Sequence, residues 1–90
     1  MNELNDLEFR ILDEAYFVSS YQTILQNVGS GEEIFQPALM ALLQRGFISQ
    51  MKYNAAMNDF ERLDQPESNT LKESSFVATR QGLLIHNSSN

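Results

Sequence analysis

"PALMALLQRGFI", residues 37–48, is the stretch on which the reading of the fold turns. An unbroken apolar run from Pro37 to Leu43 is followed by Gln44, Arg45, a glycine and two more apolar residues. Proline is pre-set for the first position of a helix and glycine for the residue just past its end, so the stretch reads as one helix with both ends marked. Inside a longer helix, Pro37 would remove a hydrogen bond and clash with the preceding turn, at ~3 kcal/mol. The spacing therefore predicts a helix over 37–45 with Gln36 as its cap, and a turn of at most loose helical character over 32–36. Ser30 with Glu33 is a competing capping-box start. Gly46 ends the helix, and Phe47 is placed to fold back on Leu42 or Leu43.

Towards the N-terminus, Leu4, Leu7, Ile11, Ala15 and Val18 recur at spacings of three and four, a stripe widened by Phe9, Leu12 and Tyr16. This predicts a helix over 5–18, opened by Asn5 and Glu8 as a capping box. Ser19-Ser20 interrupts it. Tyr21, Ile24, Leu25 and Val28 mark a second, short helix closed by Gly29, and "GSGEE" is a turn.

Towards the C-terminus, "FISQMKY" reads as a strand, with Phe47, Met51 and Tyr53 on one side and Gln50 and Lys52 on the other. "SSFVAT" is a second strand, "TRQGLLIHN" a short helix capped by Thr79, and the last residues a frayed tail. The link from Asn54 to Leu71 is long for a structureless loop. Ala56, Phe60 and Leu63 stand at helical spacing within it, so one or two helical turns are expected there, then a flexible tip at "DQPESNT".

Ninety residues suffice for one domain with one small core. Twelve acids against six bases give a net charge of −6, which repels phosphate and anionic lipid at long range. The bases Arg10, Arg45, Lys52, Arg62, Lys72 and Arg80 are dispersed, with no basic run. There is no cysteine, hence no disulfide framework or zinc–thiolate site. No segment approaches the roughly 20 apolar residues of a membrane span, and the polar, acidic start is unlike a signal peptide. A cytoplasmic protein with no membrane association is expected.

No constellation points to catalysis. Asp13-Glu14 and Glu32-Glu33 are adjacent pairs whose side chains diverge on a helix. Asp59, Glu61 and Asp64 begin like a calcium loop, but its sixth and twelfth positions hold Asp64 and Thr70 instead of Gly and Glu. His86 stands alone, a poor metal ligand set and a surface packing residue. Phosphate loops and nucleophile elbows are absent. A non-catalytic chain without cofactor or metal is the expectation.

The order helix, short helix, turn, helix ending in glycine, strand, long hairpin, strand resembles a winged helix-turn-helix domain. "ALMALLQRGFI" is similar to that family's third helix running through a basic residue and glycine into the first wing strand. "FVATRQGLL" is similar to the strand and Thr-x-x-Gly that close many such domains. The resemblance implies an α+β fold: three helices, a two-stranded β-hairpin wing over about 47–79 with its tip at 64–71, and a short C-terminal helix, in one domain with its core over 5–87. It also implies that helix three enters the major groove, reading bases with Gln36, Met40, Gln44 and Arg45, while the wing touches the backbone or minor groove through Lys52, Arg62 and Lys72.

The chain departs from that pattern where chemistry counts. With Leu39, Leu42 and Leu43 inward, helix three presents Pro37, Met40, Ala41 and Gln44, one amide in an apolar patch. Base readout needs several hydrogen-bonding side chains. Glu32 and Glu33 precede it. Binding of a protein partner, or self-association, through Gln36, Met40, Ala41, Gln44 and Arg45 is therefore the favoured expectation, with Tyr16, Phe17 and Tyr21 as candidate aromatic anchors. A DNA-binding transcriptional regulator is the alternative.

Overall fold

A computed structural model of the chain describes residues 4–88. The expected frayed tail falls partly on residues 89–90, outside the described residues. The architecture is α+β, with the order α1 (Asp6–Glu14), β1 (Ser19–Ser20), α2 (Tyr21–Val28), α3 (Glu32–Gln44), β2 (Ile48–Asn54), β3 (Asp59–Arg62), a 3-10 helix (Ser68–Glu73), β4 (Ser75–Ala78) and α4 (Arg80–Ser88). The strands form one antiparallel sheet in the order β1-β4-β2-β3.

The helix ends follow their local chemistry. Asn5 and Glu8 form the reciprocal capping box at the start of α1. The Ser20 side chain accepts from the Thr23 amide, and Gly29 closes α2 at φ 71°. At the end of α3, the Gly46 amide donates to the Leu43 carbonyl and the Phe47 amide to that of Leu42, with Gly46 at φ 76°. That is the Schellman stop expected from the glycine.

Four expectations are corrected. Helix three starts at Glu32, capped by Gly31, and Pro37 lies inside it. One intrahelical hydrogen bond is lost, but both Pro37 and Glu33, whose carbonyl would have received it, are exposed. The extra turn in return places Phe35 fully in the core, edge-on to Tyr21 with ring centroids 5.1 Å apart. Burying such a ring is worth ~2 kcal/mol or more, comparable to the cost of the proline.

Helix one ends at Glu14, not Val18. The chain turns there so that Ser19 and Ser20 pair with Phe76 and Ser75 of β4. Ser19 Oγ donates to the carbonyls of Glu14 and Phe17.

Residues 54–63 are a hairpin, not helical turns. Asn54 Oδ1 accepts from the Ala56 and Met57 amides, and Asn58 takes a left-handed φ of 54°. An Asx turn and a left-handed residue reverse the chain instead of winding it. The hairpin's tip is thus Ala55–Asn58, and of the expected tip at 64–71 the first four residues lead to the 3-10 helix and the last four belong to it. The predicted wing strands, β2 and β4, do pair, but β3 adds a strand on the other edge of β2.

The fourth correction is the face of β2. Ile48 and Gln50 turn inward, while Tyr53 is exposed. Gln50 is buried without penalty because its amide is used in full: Nε2 donates to the Glu67 carbonyl (3.1 Å) and Ser74 Oγ (2.9 Å), and Oε1 accepts from the Glu67 amide (2.9 Å). The core lies between the inner faces of α1–α3 and the sheet, built on Ile11, Leu12, Tyr21, Ile24, Phe35, Leu39, Leu42, Ile48, Leu71 and Phe76.

Candidate interaction surface

Helix three presents a mixed outer face. Phe35, Leu39, Leu42 and Leu43 are buried. Pro37 and Gln44 are exposed, while Gln36, Met40, Ala41 and Arg45 are half-buried. Met40 packs against the edge of the core. On helix three the large apolar side chain left most open is one the sequence did not single out, Ile34, which is 59% exposed. With Leu7, Pro37, Ala38 and Ala41 it lines a shallow groove between α1 and α3, to which Asn5, Asp6 and the buried Glu8 also contribute. Its signal is hidden in the sequence because Ile34 belongs to the predicted turn.

The cations expected to reach a nucleic acid are turned to other uses. Arg45 Nη1 lies 3.5 Å from Glu8 Oε1, and its guanidinium sits 4.8 Å above the Phe47 ring. Lys72 Nζ lies 3.4 Å from Glu32 Oε2, and Lys52 Nζ lies 3.2 Å from Glu67 Oε1. Arg62 is exposed on β3. The structure brings Gln36, Met40, Ala41, Gln44 and Arg45 together on one helix, and sets Lys52 and Arg62 apart on the hairpin.

Of the aromatic anchors, Tyr21 is removed. Its ring is fully buried and its hydroxyl donates to Glu32 Oε2 at 2.7 Å. Burial, and then this bond to a carboxylate, push the Tyr21 hydroxyl up to about 12. Phe17 stays open at 83% exposure. Tyr16 is tied to the C-terminal helix, its hydroxyl meeting His86 Nδ1 at 2.9 Å and Asn87 Oδ1 at 2.8 Å. His86 is not a surface residue. It is 5% exposed, stacked on Phe9 at 4.2 Å, with Nε2 lying 3.5 Å from Asp13 Oδ1 without a hydrogen bond.

Two carboxylates link elements and carry a pH dependence. The Tyr21 hydrogen bond, then the Lys72 charge, hold Glu32 below the ordinary glutamate range. Lys52 and then Thr70 do the same for Glu67. A carboxyl group whose folded value is depressed contributes stability that is present above its unfolded value and lost as pH falls through the folded one. The melting temperature is expected to fall on acidification below about pH 4.5, the ordinary glutamate value. Melts across that range for the native chain and for Glu67→Gln check this: the variant is expected to show a shallower decline, and an identical one would remove Glu67 from the account.

Among the described residues, no group of three or more His, Cys, Asp or Glu side chains is arranged to hold a metal ion, and no helix is long and apolar enough to cross a membrane. Compared with protein-family models, curated proteins and solved structures, the chain matches none.

Proposed function

We propose that this chain is a small, non-catalytic winged-helix module that works by binding another protein through the outer face of helix three and the groove beside it. The observation that carries the reading is the fate of the cations. Of the four basic side chains that the resemblance turns toward DNA, Arg45, Lys52 and Lys72 are each paired with a carboxylate of the chain itself. Phosphate neutralisation supplies most non-specific affinity for DNA, and a chain of net charge −6 with these cations engaged has little to supply it with. Ile34, Pro37 and Ala41 instead offer an apolar strip edged by Asp6, chemistry suited to an apolar ridge with a basic group on that side. The winged-helix assignment rests on element order: α1, α2 and α3 followed by antiparallel β2 and β4, with α3 running through Arg45 and Gly46 into β2.

The experiment is a titration of a labelled mixed-sequence DNA duplex, read by fluorescence anisotropy at low and then moderate salt. Low salt is the most permissive condition for phosphate binding. No change in anisotropy is expected at either. Binding that weakens steeply with salt would overturn the proposal and put the DNA-binding regulator in its place as the leading reading.

A further inference from the structure

The hairpin carries an unused strand edge with a different side-chain chemistry on each face. Among the described residues β3 ends the sheet, paired only with β2. The Leu63 amide donates to the Gln50 carbonyl, and with the register Met51↔Arg62 to Asn54↔Asp59 this fixes the ladder: Asp59, Glu61 and Leu63 direct their backbone groups at β2, and Phe60 and Arg62 direct theirs outward. The Phe60 amide turns back on Asp59 Oδ1 at 2.8 Å. The Phe60 carbonyl and both backbone groups of Arg62 have no partner among the described residues. Such an edge is a template for a further strand.

The faces set what that strand must be. On one lie Tyr53 and Phe60, directly opposed, edge to face at 5.5 Å, and 55% and 39% exposed. Met57 at the tip is 67% exposed. On the other lie Asp59 and Glu61. Glu61 is held by the Asn54 amide at 3.0 Å, and neither carboxylate is in an ion pair among the described residues. Lys52, opposite Glu61 in the register, reaches Glu67 instead. A second copy of this chain is a poor occupant. The two fullest antiparallel self-registers set Glu61 opposite Glu61, or Asp59 opposite Glu61, and like charges directly opposite destabilise a strand pair.

The geometry points to an extended segment of another protein, alternating Lys or Arg with aliphatic residues, that adds to the β3 edge as a fifth strand. Its backbone takes up the Arg62 amide and carbonyl, its basic residues meet Asp59 and Glu61, and its aliphatic residues pack beside Phe60, which Tyr53 backs from β2, and beside the Arg62 stem. The surface is separate from the helix-three groove, so either stands if the other fails.

The test titrates the isotope-labelled full chain with an acetylated, amidated peptide of three Lys-Val repeats, and with its Glu-Val counterpart, following the amide spectrum. The Lys-Val peptide is expected to shift residues 59–62 and slow exchange of the Arg62 amide, and the Glu-Val peptide to do neither. Arg62→Pro removes the outward donor without touching the β2 ladder and is expected to weaken binding about tenfold or more, while Arg62→Ala, which keeps the donor, is not. Glu61→Lys is expected to transfer the preference to the Glu-Val peptide, and this decides the matter if Arg62→Pro disrupts the hairpin. No shifts, or shifts scattered over acidic residues and insensitive to these variants, would overturn the proposal. Shifts confined to Leu7, Ile34 and Ala41 would overturn it too, while leaving the helix-three reading in place.

Discussion

Gly82→Ala is expected to destabilise the fold by about 3 kcal/mol, at the upper end of what overpacking costs. An ideal Cβ at position 82 would lie 1.9 Å from the Phe47 carbonyl oxygen and 2.8 Å from its carbon. Both are backbone atoms, so no side chain can swing away. α4 would have to lift off. Lifting strains the two bonds that dock it here, the Thr79 amide to the Phe47 carbonyl (3.0 Å) and Thr79 Oγ1 to the Gly46 carbonyl (2.7 Å), the latter from the hydroxyl that also caps the Gly82 amide (3.0 Å). The sign is the informative part. In an exposed helix interior the same substitution would stabilise by about 1 kcal/mol through helix propensity. Denaturant unfolding of the variant checks it: a gain in stability would mean that α4 is not docked on the helix-three stop.

That corner also gives the Thr-x-x-Gly pattern a physical meaning. As sequence, Thr79 reads as a helix cap. The structure adds that the same hydroxyl reaches across to Gly46, so that one side chain joins the end of α3 to the start of α4. Gly82 is required by the close approach and not by a backbone angle. A helix cap is legible in sequence because its partners lie within a turn. The Gly46 carbonyl lies 33 residues away, and no local pattern announces it.

The same distinction separates the other expectations. The α1 capping box, the Gly29 and Gly46 stops and the β4 strand rest on short-range chemistry, and each stands where the sequence puts it. The start of helix three is not legible in this way, because a local cost at Pro37 is outweighed by burial of Phe35 against Tyr21, a contact between two elements. The hairpin at 54–63 resembles a helix in sequence because Ala56, Phe60 and Leu63 fall by chance at helical spacing, while Asn54 and Asn58, the residues that turn the chain, can equally serve as helix caps. In the candidate surface, the helix-three residues are legible as a group. Ile34 and the ion pairs of Arg45, Lys52 and Lys72 are not, since which acid a cation meets is settled by tertiary placement.

Gln50→Leu is the sharpest trial of that tertiary placement. The substitution keeps the side chain's approximate size and makes it apolar, in a site 2% exposed. By area alone, burying a leucine in place of an amide should stabilise. The hydrogen bonds decide otherwise. Without the amide, Ser74 Oγ loses a donor but keeps its own bond to the Thr70 carbonyl at 2.8 Å. The Glu67 amide and carbonyl lose both their partners on β2, and an unsatisfied polar group costs ~1–3 kcal/mol when water cannot replace the lost partner. Glu67 is half-buried, so water offsets part of this. A net loss of about 2 kcal/mol is expected, measured as a lower denaturant midpoint with an unchanged slope. The loss should also be local. With its tether gone, the 64–73 return loses its hold on the sheet, and amides there should exchange faster while those of α1 and α2 keep their order of protection. A Gln50→Leu variant as stable as the native chain would mean that this return is held well enough by Leu71 and by the Lys52–Glu67 and Lys72–Glu32 pairs, and that the inner face of β2 needs only an apolar side chain at this position.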